Sequence, residues 1–249
     1  MTGIWVATAL LTRVPVRVVA GAHEVGRAAR WFPLVGGALG GTAALAAWGL
    51  RDVMGVPPSL SAALLVSFGA WITGAIHLDG LADMADGFGG GSTRDDVLRI
   101  MRDPAIGSYG AVTVATLITL KVTALATLLE RNAALPFVVA APVMSRWTIV
   151  ALGTWLPYAR VEGGIGQAVT RVSGLTGLLV ATATTFAIAF AVLRTAAILP
   201  WTLAAVSALM LGRAAKSRIG GVTGDVFGAS VELAETTALV GGVLLTGHT

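Results

Sequence analysis

The chain has 249 residues, of which 55% are apolar and only 12% are charged. Because a soluble domain usually carries about 25% charged residues, this composition excludes a water-soluble globular protein. The net charge of +4 comes without a run of Lys or Arg, so the basic residues are expected to set membrane topology and not to bind nucleic acid. The absence of cysteine excludes disulfides, thiolate metal sites and cysteine nucleophiles.

Seven segments are candidates for transmembrane helices, which need roughly 20 mostly apolar residues. They cover about 34–50, 58–76, 106–129, 135–157, 173–193, 196–212 and 226–247. The first and the sixth are short, and residues 1–20 offer a half-inserted or eighth helix. Since these segments follow one another almost from end to end, we predict an all-α, polytopic transmembrane bundle of six to eight helices. It forms a single domain over residues 1–249.

Threading these helices alternately across a bilayer sorts the basic residues between two membrane faces. The first face holds residues 1–33, 77–105, 158–172 and 213–225, and the second holds the remaining connections and the C-terminus. The basic residues of the first face are Arg13, Arg17, Arg27, Arg30, Arg94, Arg99, Arg102, Arg160, Arg171, Arg213, Lys216 and Arg218. The second face has only Arg51, Arg131 and Arg194. Because cytoplasmic loops are rich in Arg and Lys, we predict that the first face is cytoplasmic in a cell inner membrane.

Two basic side chains, Lys121 and Arg146, fall inside predicted spans. A charge at the bilayer centre costs at least about 2.5–3.5 kcal/mol on insertion scales, so each is expected to face a cavity or a carboxylate. Glu232 and Glu235 in the last span are the candidate partners. Such pairing would serve either function or assembly, and Arg146 has the further alternative of extending towards an interface.

The densest polar segment follows the second span and contains three aspartates at helical spacing. Asp79, Asp83 and Asp86 stand at i, i+4 and i+7, which places them on one helical face. A divalent cation would relieve their repulsion, and carboxylate oxygens favour Mg²⁺ or Mn²⁺ over zinc. The alternative is a solvated acidic helix end. His77 precedes the first aspartate and is either a general base or a histidine bonded to backbone at the helix end.

Cations and further acids lie on the same predicted face. Arg102 and Asp103 close the aspartate-rich segment, and Asp225 stands where the last helix begins. Arg13 and Arg30 belong to the N-terminal segment of that face. Arginine suits bidentate contact with phosphate, and cations beside a carboxylate-bound metal are the arrangement that phosphoryl transfer needs. The pattern therefore indicates a phosphotransferase site.

Five sequence blocks in this order resemble one known family, the membrane cobalamin synthases, also called adenosylcobinamide-GDP ribazoletransferases. The blocks are LTRVPV, RWFPLVGGALG, HLDGLADMADG, IMRDPAIGSYG and IGGVTGDVFGASVELAE. They extend over essentially the whole chain, and HLDGLAD and TGDVFGA are far more specific than a generic aspartate motif. One block departs from the expected family pattern, which is closer to IMKDSRIGTFG. There Pro104 and Ala105 replace a polar and basic pair.

The resemblance implies the last assembly step of vitamin B12 synthesis. Adenosylcobinamide-GDP and α-ribazole would give adenosylcobalamin and GMP with Mg²⁺ as cofactor. The 5′-phosphate of α-ribazole is an alternative acceptor, which would give adenosylcobalamin 5′-phosphate. The implied partners are these small-molecule substrates and the lipid bilayer, while the oligomeric state is left open.

Residue patterns and resemblance combine into one hypothesis for the site. Asp79, Asp83 and Asp86 hold Mg²⁺ on the pyrophosphate. The catalytic residues are His77, Asp83, Asp103 and Asp225, with His77 or one aspartate as the base. The substrate-binding residues are Arg13, Arg30, Arg102, Gly221 and Thr223.

Two alternatives belong to other protein classes. A CDP-alcohol phosphotransferase shares aspartates at helical spacing, but its pattern fails here because Asp79-Gly80 is followed by Leu-Ala-Asp. A transporter would use the intramembrane charges as a midplane pathway. The polar residues are concentrated on one face, which speaks against that reading.

Overall fold

The computed structural model describes residues 2–247, and its regular secondary structure over this range is helical apart from one isolated bridge, Tyr158–Val222. The helices are α1 Thr2–Leu11, α2 Ala22–Ala28, α3 Phe32–Trp48, α4 Pro58–Thr73, α5 Ile76–Gly90, α6 Arg94–Ile100, α7 Ser108–Glu130, α8 Ala134–Trp155, α9 Ile165–Val172, α10 Gly174–Leu193, α11 Ile198–Ile219 and α12 Gly224–Thr246. The all-α prediction is confirmed.

Within the described range, five helical stretches are long and apolar enough to cross a membrane, or six if α4 and α5 count as one bent span. One of the five, Gly174–Ile219, consists of α10 and α11. Arg194 lies between them with φ 52°, and the rings of Phe186 and Trp201 are 5.9 Å apart. That contact shows that the chain folds back at Arg194. When α10 and α11 are counted separately and α4 with α5 as one bent span, the described range has seven candidate spans, which agrees with the prediction of about seven.

The aspartate-rich segment after the second span is helical. The chain bends by 89° between α4 and α5, where Gly74 and Ala75 have φ of 67° and 57° and so end α4 in a left-handed conformation. Helix α6 begins with a capping box formed by Thr93 and Asp96. The aspartates therefore lie on a rigid helix, α5, as their spacing indicated. Helix α1, with ten residues, is too short to span a bilayer.

Helix α8 forms the centre of the bundle and is the most buried of the candidate spans. Glycines on α3 let it approach α8 closely, as small residues do between helices in membranes. A Cβ on Gly40 would lie only 2.7 Å from the carbonyl oxygen of Val139. Around α8 also pack α10, α11 and α12.

Contacts at the two ends of the bundle separate the predicted faces. At the first face, Arg94 donates hydrogen bonds to the carbonyl oxygens of Ile219 (3.1 Å) and Ala159 (2.7 Å). At the second face, Arg51 bonds to Asn132. The loops that were assigned to one face thus meet one another, while the cytoplasmic orientation of that face stays a prediction.

Candidate active site

Close packing between α5 and α12 brings aspartates from two distant segments together. A Cβ on Gly80 would lie 2.9 Å from both the Cα and the carbonyl oxygen of Asp225. Gly80 stands between Asp79 and Asp83 on α5, so both aspartates are placed beside the first turn of α12. Asp83 interacts electrostatically with Asp79 and Asp225. The structure therefore gathers three carboxylates at the first face.

The Asp225 carboxylate is held by two donors. Thr223 caps α12 by accepting a hydrogen bond from the backbone N–H of Val226. Its hydroxyl also donates to Oδ2 of Asp225 over 3.2 Å. Nη2 of Arg160 donates to the same oxygen over 2.7 Å. Thr223, predicted to bind ligand, is fully buried and acts here by orienting Asp225.

Arg160 is the site residue that sequence reasoning missed, because it was counted only among the topology-setting arginines. Its segment is fixed by backbone hydrogen bonds to the loop before α12, from Ala159 N–H to the Val222 oxygen and from Val222 N–H to the Pro157 oxygen. Arg160 also donates to the Met101 carbonyl oxygen over 3.3 Å. Its Nε has no hydrogen-bond partner among residues 2–247. Only its position directly after a predicted span could have drawn attention to it.

Tyr158 lies beside this cluster, next to Arg160. Burial raises the pKa of the Tyr158 hydroxyl above its ordinary value, and the guanidinium of Arg160 partly opposes that shift. The phenol consequently stays neutral at physiological pH and adds no negative charge to the three carboxylates.

Asp86, which its spacing predicted to be a metal ligand, contacts the backbone at the start of the next helix. Its side chain turns to the start of α7, where Oδ2 accepts from the Gly107 N–H (2.7 Å) and Oδ1 from the Gly110 N–H (2.8 Å). The first N–H groups of a helix have no partner within the helix and attract negative charge. Both carboxylate oxygens of Asp86 thus accept from the start of α7, and the metal-ligand assignment of Asp86 stays a prediction.

The remaining carboxylates do not form a ready-made metal site. Among the described residues, no three His, Cys, Asp or Glu side chains are placed so that they could hold a metal ion. Asp79, Asp83 and Asp225 nevertheless offer oxygen atoms only, in electrostatic reach of one another. This donor set fits Mg²⁺, which usually takes one or two carboxylates together with water and substrate phosphates.

His77 is not brought together with these aspartates. It is 4% exposed and faces the interior, where it interacts with Arg146, Glu235 and Lys121. Its Nδ1 has no hydrogen-bond partner within the part of the chain that the structure describes. The position of His77 favours an aspartate over His77 as the base.

Arg102 and Asp103 lie at the rim of the cluster. Arg102 Nη2 contacts Oε2 of Glu162 over 2.6 Å, and both side chains are exposed. Its hydrogen bond holds the pKa of Glu162 below the ordinary value. Oδ1 of Asp103 accepts from the Ala105 N–H, which shapes the turn before α7. Arg102 is therefore near the site and free to exchange Glu162 for another anion.

The other three predicted binding residues occupy separate places. The Arg13 side chain packs on Gly74 at the bend between α4 and α5. Arg30 stacks on Trp31, with its guanidinium carbon 5.4 Å from the ring centroid, and lines a cavity beside α1. Gly221 packs so tightly on the Pro157 carbonyl that a side chain would collide with it. Gly221 thus serves loop packing.

The buried charges pair as the sequence predicted. Lys121 Nζ lies 2.6 Å from Oε2 of Glu232 and 3.3 Å from Oε1 of Glu235. Arg146 forms an ion pair with Glu235. Two cations and two carboxylates therefore neutralise each other inside the bundle.

Comparison with known proteins places these features in one family. Residues 3–243 match the family described as cobalamin-5-phosphate synthase. The chain is 39% identical over 229 residues to a protein of Prosthecochloris aestuarii, with 90% of each chain covered. It is 38% identical over 245 residues to one of Chlorobaculum tepidum, covering 94% of this chain and 92% of the relative.

A relative from Pseudomonas aeruginosa is 40% identical over 249 residues, which cover 96% of this chain and 97% of the relative. All three relatives are named adenosylcobinamide-GDP ribazoletransferase. No solved structure gives a significant match. By the extent of these matches, and as the five sequence blocks indicated, the chain belongs to the cobalamin-5-phosphate synthase family.

Proposed function

We propose that the protein joins adenosylcobinamide-GDP to α-ribazole, or to its 5′-phosphate, and releases GMP. The corrinoid product is adenosylcobalamin or adenosylcobalamin 5′-phosphate. The names of the relatives support this reaction. The observation in the structure that carries it is the meeting of Asp79, Asp83 and Asp225 with Arg160 at one end of a membrane bundle.

In this reaction the 5′-hydroxyl oxygen of ribazole forms a bond to the phosphorus that carries cobinamide. The bond from that phosphorus to the oxygen of GMP breaks, and GMP leaves as an anion. The hydroxyl proton passes to a carboxylate, for which Asp83 is suited because it is only partly exposed and interacts electrostatically with both other acids.

Several groups would compensate the negative charge of the pyrophosphate. Arg160 beside Asp225 and Arg102 at the rim bind phosphate oxygens. Asp79, Asp83 and Asp225 are the residues that would hold Mg²⁺. When bound there, Mg²⁺ supplies positive charge that neutralises pyrophosphate oxygens. Asp225 is kept in place by Thr223 and Arg160.

The site would face the cytoplasm of a cell inner membrane, because the basic residues are concentrated at that end. The experiment that tests the reaction is GMP release from adenosylcobinamide-GDP by purified protein in lipid nanodiscs. Release that depends on α-ribazole and stops with EDTA supports the proposal. Release without α-ribazole indicates simple hydrolysis, and activity that is unchanged by EDTA excludes the magnesium assignment.

A further inference from the structure

A small cavity lies inside the bundle, beneath the aspartates. Four charged side chains form part of its lining, and we call this part the charged floor. The cavity has a volume of about 90 Å³, and its lining comes from α3, α4, α5, α7, α8 and α12. The ion-paired side chains Lys121, Arg146, Glu232 and Glu235 contribute the polar part of the lining, and the remaining walls are almost entirely apolar. The cavity is several times larger than the roughly 10–15 Å³ that one water molecule needs.

The charges on this floor favour a neutral ligand group. The two positive and two negative charges balance, so the charge of an ionic ligand group would not be neutralised there. Arg146 is 5% exposed, and its Nε has no hydrogen-bond partner in residues 2–247. An unsatisfied polar atom at membrane depth is strongly unfavourable. A primary carboxamide, which both donates and accepts hydrogen bonds, matches such a floor.

A larger apolar cavity adjoins the small one. Its volume is about 640 Å³, and it lies between α1, α3, α4 and α10. Leu39, Phe68 and Ile72 line both cavities and form their common wall. The larger volume falls in the range of roughly 300–1,000 Å³ that is usual for small-molecule sites. Together the cavities suit an apolar body that carries an amide side arm.

Both cavities reach the bend that leads to the aspartates. Leu78 lines the small cavity and directly precedes Asp79. Thr12 and Val14 line the large one, and Arg13 between them packs on Gly74 at the bend. A ligand in the cavities would therefore lie next to the end of α5 from which the carboxylates project.

We propose that the two cavities form the binding site for the corrinoid half of the substrate, with the macrocycle in the large cavity and one carboxamide arm on the charged floor. This inference rests on the proposed function, since cobinamide is a macrocycle with apolar edges and peripheral carboxamides. The corrinoid would enter from the lipid side, where Phe68 and Trp71 are exposed, while the pyrophosphate reaches the aspartates at the first face.

Gly69→Leu tests the proposal, because Gly69 lines the small cavity and a Cβ there would meet no described heavy atom within 4 Å. The side chain would fill the cavity without disturbing the helix. The matched control is Gly41→Leu on α3, which has the same open space and lines neither cavity. Three quantities are measured in nanodiscs: the Kd for cobinamide without GDP, by absorbance, and the KM for each of the two substrates.

Gly69→Leu is expected to raise the Kd for cobinamide and the KM for adenosylcobinamide-GDP about tenfold. The KM for α-ribazole should stay at the wild-type value, and Gly41→Leu should change none of the three. Normal turnover of Gly69→Leu with an unchanged Kd for cobinamide overturns the inference and leaves the proposed function intact. A lower Tm with unchanged affinities also overturns it, because the cavity would then hold a structural lipid. Wild-type protein that neither releases GMP nor binds cobinamide overturns the proposed function, and this inference with it.

Discussion

Arg160 donates a 2.7 Å hydrogen bond from Nη2 to Oδ2 of Asp225, which joins the loop after α8 to the first turn of α12. The pair is mostly buried, with side-chain exposures of 16% and 18%. The Nε atom of the guanidinium has no hydrogen-bond partner among the residues that the structure describes. Because Nε is buried and Nη2 orients Asp225, a phosphate oxygen would contact the part of the Arg160 side chain that stays exposed.

Arg160→Ala is expected to lower kcat for GMP release about 100-fold, the usual loss when a positioned donor to developing charge is removed. Arg160→Lys should recover only part of it, because lysine cannot reproduce the planar guanidinium contacts. Arg99→Ala is the control and should leave kcat unchanged, since Arg99 is exposed and forms its ion pair with Asp96, at 3.7 Å. Equal rates for Arg160→Ala and wild type would rule out this role.

Asp83→Asn and Asp86→Asn should distinguish a carboxylate that takes part in the reaction from one that stabilises the fold. We expect Asp83→Asn to lower kcat about 100-fold or more, because it removes the proposed proton acceptor and a metal ligand. The melting temperature should not fall, since the neighbouring carboxylates of Asp79 and Asp225 repel that of Asp83. The measurements are GMP release over a range of Mg²⁺ concentrations and thermal unfolding in nanodiscs.

Asp86→Asn should act on stability instead. The amide group can accept from only one of the two N–H groups of Gly107 and Gly110, so the free energy of unfolding should fall by about 1–3 kcal/mol. The Mg²⁺ concentration for half-maximal activity should remain at the wild-type value. A shifted Mg²⁺ dependence with unchanged stability would contradict this role and support Asp86 as a metal ligand.

Gly80→Ala should move α5 away from α12. Its Cβ would lie 2.9 Å from Asp225 backbone atoms, so the helices must separate and the aspartates with them. Small displacements of catalytic groups reduce rates strongly, and we expect a loss in kcat of about tenfold or more. Gly90→Ala is the control on the same helix, because its Cβ would meet Ile100 at an ordinary 3.5 Å. Full activity of Gly80→Ala would show that the close approach is not required.

Lys121→Met should destabilise the bundle by about 3–5 kcal/mol, because Glu232 is left as an unpaired buried charge. The double variant Lys121→Met/Glu232→Gln removes both charges of the 2.6 Å pair and should regain most of the loss. Glu235 keeps its ion pair with Arg146 in both variants. Unfolding of the two variants in detergent, followed by circular dichroism, provides the comparison. A double variant as unstable as the single one would contradict the electrostatic explanation.

The amino-acid sequence by itself determined the membrane bundle, the two faces and the helix that carries the aspartates. These follow from properties of single segments: the length of apolar stretches, the distribution of Arg and Lys, and the helical repeat of Asp79, Asp83 and Asp86. The pairing of Lys121 with Glu232 was also predictable, since an unpaired charge at that depth is costly.

The tertiary structure alone decided which of these groups meet. Helical spacing puts Asp83 and Asp86 on one face, but the neighbour of each is set by packing: Asp83 faces α12 because Gly80 permits close approach, and Asp86 faces the N–H groups that begin α7. Arg160 reaches Asp225 from 65 residues away in the chain. Such contacts depend on how whole helices pack against each other, and no local pattern of residues encodes that arrangement.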